Sequence, residues 1–161
     1  MVKHSLTDLI SIRDFAFVWR ITDARWDTLP TDVLERIRPL SARRSKEVCE
    51  LSSVFQNVQT RQVSEIYQIS RRTSPEGITP SDRDRIAGWL VGLPIQQSEC
   101  VYVCWSNMVA IVVEWSVFIQ IWDSLWYPFD HVFVFDETLD WAVVFGPEEL
   151  AVYIDRIGAV G

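Results

Sequence analysis

The chain has 161 residues, 48% hydrophobic and 23% charged, with a net charge of −7. That length suits one domain, taken as 1–161, with a substantial core, and the composition excludes a disordered chain. The acidic balance argues against nucleic acid and anionic membrane as partners and for a basic one.

No apolar run follows Met1 to Ser5, so no signal peptide is expected and the protein is read as cytoplasmic. Phe15, Phe17, Trp19 and Ile21 alternate with Ala16, Val18 and Arg20, which predicts a strand over 15–21. A short helix is predicted over 31–38, ended by Pro39. Ser41 suits the N-cap of a second helix, in which Val48, Leu51, Phe55 and Val58 share one face. Residues 59–70 fit alternation (Val63, Glu65, Tyr67, Ile69) and helical spacing equally. Residues 71–79, with Ser74-Pro75-Glu76-Gly77, read as a loop. Thr79-Pro80-Ser81-Asp82 opens a helix that turns Ile86, Leu90 and Trp89 inward and stops at Gly92-Leu93-Pro94.

From 99 onward the signal strengthens. Five of the eight tryptophans lie here. Two apolar runs, 100–105 and 109–114, flank Ser106-Asn107-Met108 and predict a hairpin. Both alternating sets of the first run are apolar, so that strand is expected to be covered on both faces. Ser116 is a candidate cap for a helix over 116–126, whose Phe118, Ile121, Trp122 and Leu125 form an apolar stripe. Residues 109–126 are too polar and too rich in tryptophan for a membrane span. Two more strands follow, 131–135 and 141–145. Pro147, with Glu148 and Glu149 behind it, then predicts a last helix that buries Leu150, Tyr153, Ile154 and Ile157. The expected fold is α+β: an antiparallel sheet with a ββ-α-ββ-α unit over 99–157, and an N-terminal strand and helices over 15–98 packed on it.

The chemistry-bearing motifs are sparse. There is no Gly-x-Ser-x-Gly, no phosphate-binding glycine loop and no zinc-protease signature. His4 and His131 are the only histidines, and neither a metal nor a cofactor is expected. The cysteines Cys49, Cys100 and Cys104 fit a reducing compartment as small buried hydrophobes. Cys100 and Cys104 lie about 13 Å apart on one strand, too far to pair with each other. Most tryptophans read as core.

Charge is segregated along the chain. Residues 1–85 carry 14 basic and 12 acidic side chains. Residues 86–161 carry Arg156 alone against ten acids: Glu99, Glu114, Asp123, Asp130, Asp136, Glu137, Asp140, Glu148, Glu149 and Asp155. Many of these acids fall at predicted strand ends and turns, where binding residues concentrate. The candidate partner-binding residues are therefore Asp123, Asp130, Asp136, Glu137, Asp140, Glu148 and Glu149, with Trp126 as an aromatic anchor.

Trp115, Phe118, Trp122, Asp123, Leu125, Tyr127, Pro128 and Asp130, followed by an apolar strand, Trp141 and Glu148-Glu149, resemble a family of small, tryptophan-rich bacterial proteins. Trp19, Ile21, Asp23, Arg25, Trp26, Leu29-Pro30 and Arg38-Pro39-Leu40-Ser41 resemble that family's opening. The chain departs from it at Gly146-Pro147, where the family carries a histidine. Related proteins stand beside polymorphic toxins as immunity proteins. The resemblance implies an α+β fold and a non-catalytic protein that binds a cognate toxin. The competing expectation is a small-ligand binder or hydrolase using a Trp-lined pocket near Asp130 and His131.

Overall fold

The computed structural model describes residues 8–22, 28–56, 63–68, 80–127, 130–146 and 150–156. Among them a single sheet of seven strands organises the molecule. The strands are β1 (Arg38–Pro39), β2 (Val63–Gln68), β3 (Cys100–Trp105), β4 (Val109–Glu114), β5 (Val132–Phe135), β6 (Trp141–Phe145) and β7 (Leu150–Asp155). Their spatial order is β1-β4-β3-β5-β6-β7-β2, and every neighbouring pair is antiparallel. The fold is α+β, as expected from the sequence.

Helices cover both faces. On one side lies α6 (Trp115–Leu125), with α1 (Trp19–Thr22), α2 (Thr31–Leu34) and α5 (Pro80–Gly92). Here Val101, Val103, Trp105, Val132, Val134 and Phe145 of the sheet meet Phe118, Ile121, Trp122 and Leu125 of α6 and Ile86 and Leu90 of α5. On the other side lie α3 (Ala42–Leu51) and α4 (Ser53–Gln56). Val48, Cys49 and Phe55 pack there on Tyr102, Cys104, Phe133 and Phe135. The central strands are apolar on both sides because each side has its own helical layer.

Local signals explain most of the boundaries. Ser41 caps α3, its hydroxyl accepting from the Arg44 amide at 3.3 Å. The hairpin 100–105/109–114 turns through Met108 at φ 63°. Ser116 does not cap α6. The helix begins one residue earlier, and its first amides, on Trp115 and Ser116, donate to the carbonyls of Glu99 (2.7 Å) and Gln97 (3.0 Å).

Four expectations are corrected. Residues 15–21 are not a strand: amides of Val18, Arg20 and Ile21 donate to carbonyls three residues back, and Trp19–Thr22 is helical. The alternation fails because Arg20 is itself buried against acceptors on α6 and beyond. The 31–38 helix stops at Leu34, and Arg38–Pro39 becomes an edge strand, where a missing amide does no harm. Leu51 is exposed and a turn at Ser52 separates α3 from α4, so Phe55 reaches the core by a new helix. The last helix is a strand, β7, placed between β6 and β2. Ala151 and Tyr153 face α6 while Val152 and Ile154 face α3. A strand apolar on both sides is not distinguishable from a buried helix by periodicity. The C-terminal unit is thus ββ-α-βββ. The ambiguity over 59–70 resolves to strand for 63–68. The loop 71–79, Val58, Pro147 and Ile157 lie outside the described residues.

Candidate functional site

The strand register gathers acids at one end of the sheet. Glu114 closes β4 opposite Cys100, which Glu99 precedes. Asp136 and Glu137 follow β5, Asp140 precedes β6, and Asp155 ends β7 opposite Trp141. Five adjacent strands, β4-β3-β5-β6-β7, therefore each contribute an acid at the same end. At the usual spacing of about 4.8 Å between strands, the row runs about 19 Å.

The turn at its centre is held rigidly by Asp136, which is only 6% exposed. Its carboxylate accepts from the Thr138 amide at 3.0 Å, the Thr138 hydroxyl and Trp141 Nε1 at 2.9 Å. The Leu139 amide donates to the Asp136 carbonyl at 3.3 Å, and Leu139 takes φ 58°. Just past β7, the Arg156 amide donates to the Asp140 carbonyl and Arg156 Nη1 to the Leu139 carbonyl, both at 2.7 Å. Asp136 thus builds the turn, and Glu137, on its exposed side, presents charge. The Tyr102 phenol titrates above its ordinary range, mainly through burial, with a hydrogen bond donated by Arg44 opposing the shift and Glu137 adding to it. Arg36 Nη2 meets Glu114 at 2.6 Å at the row's β4 end.

The other predicted site residues stand elsewhere. Asp130 lies at the opposite end of the sheet, before β5, about 20 Å of chain from Asp136. Its carboxylate is 21% exposed and paired with Arg20, and it accepts from the Tyr127 amide at 3.2 Å. Arg20 also donates to the Leu125 carbonyl at 3.1 Å. Its guanidinium carbon sits 4.2 Å from the ring centres of both Phe17 and Tyr127. The chain's own arginine thus occupies the aromatic corner that suggested a ligand pocket. His131 lies on the other side of the sheet, its ring 4.7 Å from that of Phe133, and desolvation lowers its pKa. Asp130 and His131 therefore do not converge.

Trp126 is 1% exposed, with Nε1 donating to the Asp130 carbonyl at 3.3 Å, so it is a core residue and offers no surface for an anchor. Asp123, on α6, is ion-paired with Arg83, whose Nε lies 2.6 Å from the carboxylate. Glu148 and Glu149 lie outside the described residues. Of the eight candidates, the structure brings together Asp136, Glu137 and Asp140. It adds Glu99, Glu114 and Asp155, which sequence reasoning did not single out. The assignment of 150–155 to a helix hid Asp155's place at a strand end.

Among the described residues, no group of three or more His, Cys, Asp or Glu side chains is placed to hold a metal ion, and no helix is long and apolar enough to cross a membrane.

No protein-family model, curated protein or solved structure matches this chain.

Proposed function

We propose that the protein is a non-catalytic binding protein of the immunity-protein kind, neutralising a bacterial toxin that presents a basic surface. The observation that carries this is the row of acids along five strand ends, set around a turn that is ordered before any partner arrives. Preorganised charge raises association rates and discriminates against wrong partners. The resemblance of the 115–130 and 19–41 residues to immunity-like proteins points the same way. The aromatic corner at Arg20 and Asp130 supports the binding class over the ligand-pocket alternative, because the chain's own Arg20 side chain already fills it.

The test is binding to the product of the adjacent gene. Glu137→Lys and Asp140→Lys together should slow association about tenfold or more at low salt and flatten its salt dependence, with the melting temperature unchanged. Asp136 is kept intact, since its carboxylate builds the turn. Association as fast as the parent's at low salt would reduce the acidic row to a solubility device.

A further inference from the structure

Cys49 lies on α3 and Cys104 on β3, and α3 sits low over this part of the sheet. Two small side chains one helical turn apart permit the approach. Ser45 Oγ accepts from the Ala110 amide at 3.2 Å and donates to the Leu40 carbonyl at 3.2 Å, completing the ladder where β1 runs out. One turn on, Cys49 Sγ stands 3.5 Å from the Val109 carbonyl oxygen and 3.9 Å from that of Trp105. Ala110 is the cross-strand partner of Cys104, and Cys104 sends its side chain to the α3 face. Cys49 and Cys104 pack on that face in one buried cluster, near enough for each to shift the other's titration. Cys100 is at the far end of the same strand, about 13 Å away, where Arg38 Nη2 lies 3.6 Å from its sulfur.

We propose that Cys49 and Cys104 are a redox pair that a small peroxide closes into an intramolecular disulfide, stapling α3 to β3. Cys49 is the attacking thiol. The neighbouring Cys104 lowers its pKa, whereas burial raises that of Cys104, and Cys49 is the more exposed of the two at 5% against 1%. The Cys49 thiolate takes one peroxide oxygen: the O–O bond breaks, a sulfenic acid forms and hydroxide leaves. The Cys104 sulfur then displaces the sulfenic hydroxyl, so that the S–S bond forms as the S–O bond breaks. One peroxide is reduced to two waters as two thiols are oxidised.

The folded full-length protein is treated with one to ten equivalents of hydrogen peroxide and quenched. Thiols counted in denaturant should fall from the three of the reduced chain to one, and a single cross-linked peptide should join Cys49 to Cys104. The melting temperature should rise by roughly 5–10 °C, because the bridge closes a long loop, and dithiothreitol should reverse the rise. Cys100→Ser should behave as the parent. Cys104→Ala should leave Cys49 as a sulfenic acid that dimedone traps, with no rise in melting temperature. A bridge that uses Cys100, a cross-linked dimer, or three intact thiols after an exposure that oxidises a free-thiol control would each overturn the proposal.

Discussion

Arg20 shows how a single side chain can redirect a segment. Flanked by Trp19 and Ile21, it breaks an aromatic alternation that otherwise spells a strand, and its guanidinium ends against Asp130, the Leu125 carbonyl and two aromatic rings. Removing one partner of such a pair strands the other charge away from water. Asp130→Ala should therefore cost about 3 kcal/mol, the low end for a buried pair because the carboxylate is partly exposed, read by urea denaturation. The same variant should bind a basic partner as quickly as the parent, since Asp130 lies at the other end of the sheet from the acidic row. Trp122, stacked on Phe145 with ring centres 5.9 Å apart, belongs wholly to the core. Trp122→Ala should cost about 3–5 kcal/mol through the cavity it leaves; an unchanged melting temperature would refute that placement. His131 sets a pH test. Its folded pKa lies below the ordinary value, so its contribution to stability is present above about pH 6.5 and is lost as pH falls through the folded pKa. His131→Gln should flatten that part of the stability profile.

At the scale of elements, legibility followed burial symmetry and local punctuation. The β3–β4 hairpin, β5, β6 and α6 were readable to within a residue or two, because turn residues bound them and α6 has one apolar stripe. β7 was not, because apolar residues on both faces erase the period and a Pro-Glu-Glu run before it imitates a helix start. β2 was ambiguous for lack of any strong pattern, and β1 is too short to leave one. The turn after β5 was visible as polar residues, but Asp136's burial was not, since its partners Thr138 and Trp141 become neighbours only once the turn closes. This separates two carboxylates that look alike in sequence. Asp136→Ala should lose about 1–3 kcal/mol by leaving donors unpaired, measured by thermal or urea denaturation. Glu137→Ala should be nearly neutral for folding and act on binding rate alone.

For the molecule as a whole, segregation of charge along the chain becomes partial mixing in space. Arg20, Arg36 and Arg83 from the first half meet Asp130, Glu114 and Asp123 from the second. The field that a partner meets is therefore weaker than the sequence count suggests, and it is concentrated where β5 and β7 end and β6 begins. Exposed pairs such as Arg36–Glu114 contribute little to stability. Their effect is on the outer field: Arg36→Ala should speed association with a basic partner at low salt by unmasking Glu114, the reverse of the Glu137→Lys and Asp140→Lys effect. Stopped-flow rates at two ionic strengths would distinguish these signs.

The strand order also carries a consequence for birth on the ribosome. β2 is made early, yet its neighbour in the sheet is β7, which emerges after every other strand among the described residues. Arg20 likewise waits for Asp130, and β1 for β4. The N-terminal half is therefore translated without the surfaces that complete it, and ordering of its edges must follow synthesis of the C-terminal strands. A chain released after residue 146 lacks β7, and amides in 63–68 should then exchange with solvent at unprotected rates.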